Sequence, residues 1–217
     1  MLVYFVSQRE CAVRDLDRAL ADISEIRSQI ARGAEFRGYG AATLAATGVL
    51  AVLAALAQAR WLPDPAAAPI GYVGLWAATA AVSLIVIAVE TVTRSHRVHS
   101  GMAQEMILAA AEQFLPSAIA GVLLTAVLLR FVPGAVWMLP GLWQVVFALG
   151  VFASCRFLPR AMLLVGGWYL ATALACLVLA RGPQALSPWA MGAPFGVGQL
   201  LVAAILQLAA WRGRDGR

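Results

Sequence analysis

The sequence predicts an all-α, polytopic membrane protein: a six-helix transmembrane bundle with an N-terminal cytoplasmic amphipathic helix. Three observations predict it. Of the 217 residues, 62% are hydrophobic, against about half in an ordinary soluble domain, and a soluble chain of this size has no interior large enough to hide the excess. These residues fall into blocks of about 20, the length at which a helix crosses roughly 30 Å of hydrocarbon. No block alternates apolar and polar residues with period two, as the strands of a membrane barrel do.

Residues 1–37 form the first region. A short apolar start, Met1–Val6, is followed by a charged segment, the reverse of a secretory leader, so the first spanning helix is expected to serve as its own insertion signal. Over 10–33, Leu16, Leu20, Ile23, Ile26 and Ile30 recur every three or four residues, with Arg14, Asp15, Asp17, Arg18, Asp22, Glu25 and Arg32 between them. That spacing gives one apolar stripe on a polar helix. Six Arg balance six acids across residues 1–38, so the segment lacks the cationic excess that anionic lipid favours. It reads either as a strut against the protein's own loops or the lipid interface, or as a docking surface for a protein partner.

The transmembrane domain, 38–211, contains spans expected at 38–59, 70–92, 108–131, 135–154, 161–180 and 189–211; residues 212–217 are a tail. Pro63, Pro65 and Pro69 separate the first two spans, Pro133–Gly134 predicts a tight turn after the third, Pro159 separates the fourth and fifth, and Gly182, Pro183 and Pro188 punctuate the last connection. The connection 93–107 is the long one, and Gly101 is expected to break helical geometry within it. With the N-terminus inside, the cytoplasmic side receives 13 of the 16 positive residues, all Arg, and the other side keeps Arg60, Arg130 and Arg181. That asymmetry sets both termini in the cytoplasm. The Arg and Ala bias suggests a bacterial inner membrane. Cys11, Cys155 and Cys176 have neither disulfide nor metal-ligand spacing.

Polar residues inside spans carry information because each is costly without a partner. Gln144 and Gln199 are expected at similar depth, each after a helix-disturbing element: Pro140–Gly141 for the first, and Gly192, Pro194, Gly196 and Gly198 for the second. They read either as interhelical amide bonds in a tightly packed bundle or as part of a ligand pocket walled by Trp137, Trp143, Trp168 and Tyr169. Trp76 is a further deep tryptophan; Trp61, Trp137, Trp189 and Trp211 lie near the predicted membrane borders and read as interfacial anchors.

A second cluster is expected at the cytoplasmic edge of spans two and three, where Glu90 and Glu112 arrive from opposite directions and Arg94, His96, Arg97, His99 and Glu105 lie between them. Arg94 is four residues from Glu90, and His96 and His99 share a helix face. Interface salt bridges explain this set more simply than a metal centre, since no ligand motif of a zinc enzyme is present. Histidine there also offers a charge change near neutral pH. No phosphate loop, nucleophile elbow or paired-cysteine site occurs, and the dispersed arginines make no nucleic-acid patch. No metal is expected, no cofactor is identified, and the implied partners are membrane lipid and a protein partner at residues 10–33. The leading functional expectation is a non-enzymatic protein with a regulatory, sensory or accessory role; a small-solute transporter or channel component and a membrane enzyme with a cytoplasmic-edge site are the alternatives.

Overall fold

Ala and Leu dominate the first apolar block, and they have high helix propensity. In hydrocarbon a helix also satisfies its own backbone donors and acceptors, which an open strand cannot do. The computed structural model describes residues 40–97, 101–155 and 160–215, with backbone alone at 92, 94–97, 101–110, 209–210 and 212–215. All regular structure among the described residues is helical: α1 (Ala41–Trp61), α2 (Pro69–Arg97), α3 (Gly101–Phe131), α4 (Leu139–Ser154), α5 (Met162–Leu179) and α6 (Trp189–Asp215). Two short 3-10 helices, Pro133–Met138 and Gly182–Gln184, join them. Among the described residues six helices are long and apolar enough to cross a membrane. The amphipathic helix expected over 10–33 and the boundary after residue 37 lie outside the described residues.

Two expectations about the connections need correction. The long loop over 93–107 is largely helix: α2 continues to Arg97 and α3 begins at Gly101. Helical hydrogen bonds do not depend on side-chain polarity, so the helices run on where the apolar blocks stop. Gly101 itself is helical, and residues 98–100 beside it lie outside the described residues. The tight turn expected at Pro133–Gly134 is a 3-10 helix, Pro133–Met138, with proline at its start, where the missing N–H costs no bond.

The helices follow one another around the bundle in chain order, and α1 closes against α6. The most extensive contacts are α1 with α6 and α4 with α5; α2 and α3 touch only lightly. The connections 62–68, 132–138 and 180–188 share one end, which carries Pro63, Pro65, Pro133, Pro183 and Pro188 and is called here the proline end.

Small residues and aromatic rings are prominent in the interior beside several aliphatic side chains, and most of the exposed large apolar side chains are aliphatic. On α1 the buried stripe is Leu44, Thr47, Gly48, Ala51, Ala54, Ala55 and Gln58, whereas Ile70 on α2, Val122 on α3 and Leu164 and Leu179 on α5 are each at least 70% exposed. Exposed apolar side chains cover all these helices, far beyond the few hundred Å² that a water-soluble monomer tolerates. Helices of this length with so apolar an outer face suit insertion into a membrane.

Close approach of α1 and α6 rests on small residues. Gly192 and Gly196 stand four apart on α6 and face α1. A Cβ on Gly192 would lie 2.5 Å from the Ala55 Cβ, and one on Gly196 would lie 2.9 Å from Val52 Cγ2. One on Gly48 would lie 3.0 Å from the Gly196 carbonyl oxygen. This is the small-residue packing that lets membrane helices gain dispersion contact where no hydrophobic force separates lipid from side chain.

Candidate functional site

Proline at position 194 lies inside α6. It has no N–H to give to the carbonyl four residues earlier, so Ala190 O loses its helical donor. Gln144 of α4 supplies the substitute: its Nε2 donates to Ala190 O at 2.8 Å, and also to Pro140 O of its own helix at 3.1 Å. The Gln144 side chain is fully buried. On the other side of the same proline, Trp168 Nε1 of α5 donates to Pro194 O at 2.9 Å. The disturbed turn of α6 is therefore held from two helices.

Two further polar fastenings flank it. Gln58, fully buried on α1, donates through Nε2 to Leu186 O at 2.8 Å and accepts from Trp76 Nε1 at 2.8 Å. It ties α1, α2 and the α5–α6 connection together at the proline end. Leu186 adopts a φ of 56° while 2% exposed, a left-handed conformation that is uncommon for a bulky residue; burial and the Gln58 bond hold it there. Trp143 Nε1 donates to Thr125 Oγ1 at 2.8 Å, which joins α4 to α3, and the Trp143 ring lies parallel to that of Tyr72, with centroids 6.2 Å apart.

Deeper in the bundle an aromatic cluster fills the centre. Phe147 of α4 is the hub, meeting Phe114, Tyr169 and Phe195 edge-on at centroid distances of 5.2, 4.6 and 5.3 Å. Such edge-to-face pairs each add about 0.5–1.5 kcal/mol beyond the area they bury. The Tyr169 hydroxyl is pressed against Gly198, where any side chain would collide with it. Gln199, half-buried, approaches that hydroxyl from α6 without forming a hydrogen bond to it.

The candidate ligand residues thus fall into two groups. Gln144 engages the first turn of α6, while Gln199 lies nine residues further along the same helix, about 13 Å at 1.5 Å per residue. The two amides do not face one another, because Gln144 is drawn to the carbonyl that Pro194 leaves open. Trp143 and Trp168 spend their N–H groups on Thr125 and Pro194. Trp137, in the 3-10 helix after α3, lies under the Arg181 guanidinium, 5.2 Å from it. Three buried polar atoms have no hydrogen-bond partner in the chain among the described residues: Gln144 Oε1, Tyr72 Oη and Tyr169 Oη. Sequence reading missed Gln58 and Tyr72, which sit near span ends where polar and aromatic residues pass for interfacial ones.

At the other end, Glu90 is half-buried on α2 and Glu112 is exposed on α3. Arg94, His96, Arg97 and Glu105 lie on the helical backbone with side chains outside the described set, and His99 lies outside the described residues. Among the described residues no three of His, Cys, Asp and Glu gather around a common point. Cys155, just past α4, has its thiol pushed up by burial, which makes it a poor nucleophile. A shallow apolar groove of about 470 Å³ opens between α5 and α6 near the proline end; none of Gln144, Gln199, Trp143, Trp168 or Tyr169 lines it. Compared with known proteins, the chain matches no family model, no curated protein and no solved structure.

Proposed function

We propose that this chain is a non-enzymatic integral membrane protein with a regulatory, sensory or accessory role, in which the bundle is the membrane body and residues 10–33 engage a protein partner. One observation carries the reading: the polar side chains Gln58, Trp76, Trp143, Gln144 and Trp168 are committed to fastening helices to one another. A transport route needs polar groups along a shared cavity, and a catalytic site needs a nucleophile or base beside space for substrate. Here the same groups close on backbone carbonyls and on each other. The charged segment 10–33, whose sequence spacing suits an amphipathic helix, then supplies the surface through which the protein acts. The arginine distribution supports a cytoplasmic side for both termini, and the Arg and Ala bias supports a bacterial inner membrane.

Deleting residues 1–33 tests this. The truncated chain is expected to insert and to melt as the full chain does, while the proteins that cross-link to the full chain in native membranes are lost from it. An unchanged cross-linked set on a normally assembled truncated bundle would overturn the docking role. Substrate-dependent flux by the full chain in proteoliposomes, abolished by Gln144→Leu without loss of assembly, would favour a transporter instead.

A further inference from the structure

The connection from α5 to α6 carries one buried side chain. Arg181, Gly182, Pro183 and Gln184 are exposed and Ala185, Ser187 and Pro188 are half-buried, whereas Leu186 is 2% exposed. It belongs to the buried cluster that contains Tyr72, Trp76, Leu139 and Met191. Its backbone forms a tight turn: Ser187 N–H donates to Gln184 O at 3.2 Å, Ala185 has φ −58° and ψ 134°, and Leu186 follows at φ 56°. That pattern is a type II turn, whose third residue is normally glycine because φ is positive there. A leucine in this place is opposed by its own backbone, so what keeps the turn closed lies outside it.

Two contacts do so. The Leu186 side chain is a plug in the apolar cluster, and Gln58 is a latch, donating to Leu186 O while Trp76 Nε1 holds its Oε1. Among the described residues, every other hydrogen bond of residues 181–187 reaches no further than four residues along the chain. One group in the same cluster opposes closure. The Tyr72 hydroxyl is buried without a hydrogen-bond partner in the chain among the described residues, and it gains one from water once this end opens. Gly182, at φ 57° with open space where a Cβ would stand, gives the connection a pivot.

We propose that residues 182–187 are a latched lid over the proline end of the bundle, with a second state in which Gln58 lets go, Leu186 leaves the cluster and the turn relaxes. Closure sets the burial of one leucine and one amide hydrogen bond against a left-handed leucine and a stranded hydroxyl. These contributions nearly offset one another, so the lid opens far more readily than the bundle unfolds. The lid belongs to the bundle alone and stands whether or not residues 10–33 engage a protein.

Cysteine accessibility of the full-length chain in lipid nanodiscs tests the proposal. In a background with Cys11, Cys155 and Cys176 changed to Ser, Met191→Cys reports the space under the lid. Val165→Cys, buried in the other core cluster, reports opening of the whole bundle. A water-soluble maleimide is expected to label position 191 faster than position 165. Gln58→Leu should raise the rate at 191 about tenfold, as the loss of one buried amide hydrogen bond implies, and leave the rate at 165 unchanged. Trp76→Phe, which removes the group that orients the latch amide, should raise it several-fold and carries the test if Gln58→Leu does not assemble. Equal rates at 191 and 165 in the parent, no acceleration at 191 in the latch variants, or acceleration at both positions together would overturn the lid.

Discussion

Replacing Gln144 by Leu is expected to destabilise the bundle by about 1–3 kcal/mol, and adding Pro194→Ala should return most of that loss. Gln144 Nε2 is the substitute donor for Ala190 O. Leucine keeps much of the volume but strands a carbonyl inside the apolar core, and the cost of such stranding is about 1–3 kcal/mol. Membrane hydrogen bonds between helices often measure less, near 1–2 kcal/mol at best, because the unfolded chain in lipid also finds partners. The proline variant separates the two contributions. An alanine at 194 restores the N–H that a regular helix gives to residue 190, so the carbonyl no longer needs Gln144. Pro194→Ala alone should therefore be nearly neutral, and the two substitutions together should be far from additive. Reversible unfolding of the four chains in mixed detergent micelles gives the cycle. Additive losses would show that Gln144 acts by packing and not by capping the proline.

Gly192→Ala is the second large effect. The added Cβ would stand 2.5 Å from the Ala55 Cβ, and neither methyl has a rotamer through which to escape. The helices must separate, so α1 and α6 lose contact along their whole interface; overpacking of this kind costs about 1–3 kcal/mol. Removing the opposing methyl with Ala55→Gly should recover much of the loss in the double variant. The same unfolding assay reads it, and a single variant as stable as the parent would contradict the packing described for this interface.

How much of this was legible in the sequence differs between fold and site. The six spans were readable because lipid selects for unbroken apolar length, and the observed helices start and end within a few residues of the expected ones at α1, α4 and α5. The extensions of α2 to Arg97 and of α3 back to Gly101 were not, since polar residues beyond the membrane edge leave no hydropathy trace of helix. At the site, Pro194 announced an unpaired carbonyl at Ala190 by the four-residue rule. Its donor comes from Gln144, 46 residues earlier, which only tertiary packing identifies. Gln144 is picked out beside Pro140–Gly141, and it does donate to Pro140 O at 3.1 Å, but its shorter bond, 2.8 Å, goes to the carbonyl that Pro194 leaves open on another helix. Gln58 and Tyr72 were overlooked because nothing local separates a buried residue near a helix end from an interfacial one.

Side-specific labelling of single cysteines tests the central account most directly, that six spans form a bundle with both ends of the chain on the same side. In a background with Cys11, Cys155 and Cys176 changed to Ser, cysteines at Ala66, Gly134 and Gln184 report the proline end, those at Arg160 and Asp215 report the other end, and those at Val122 and Leu164 report the lipid face. The account predicts that a membrane-impermeant maleimide labels positions 66, 134 and 184 in intact cells, labels 160 and 215 only after the membrane is opened, and leaves 122 and 164 unlabelled throughout. Labelling of Ala66→Cys and Gln184→Cys from opposite sides, or of Val122→Cys in the intact membrane, would contradict it.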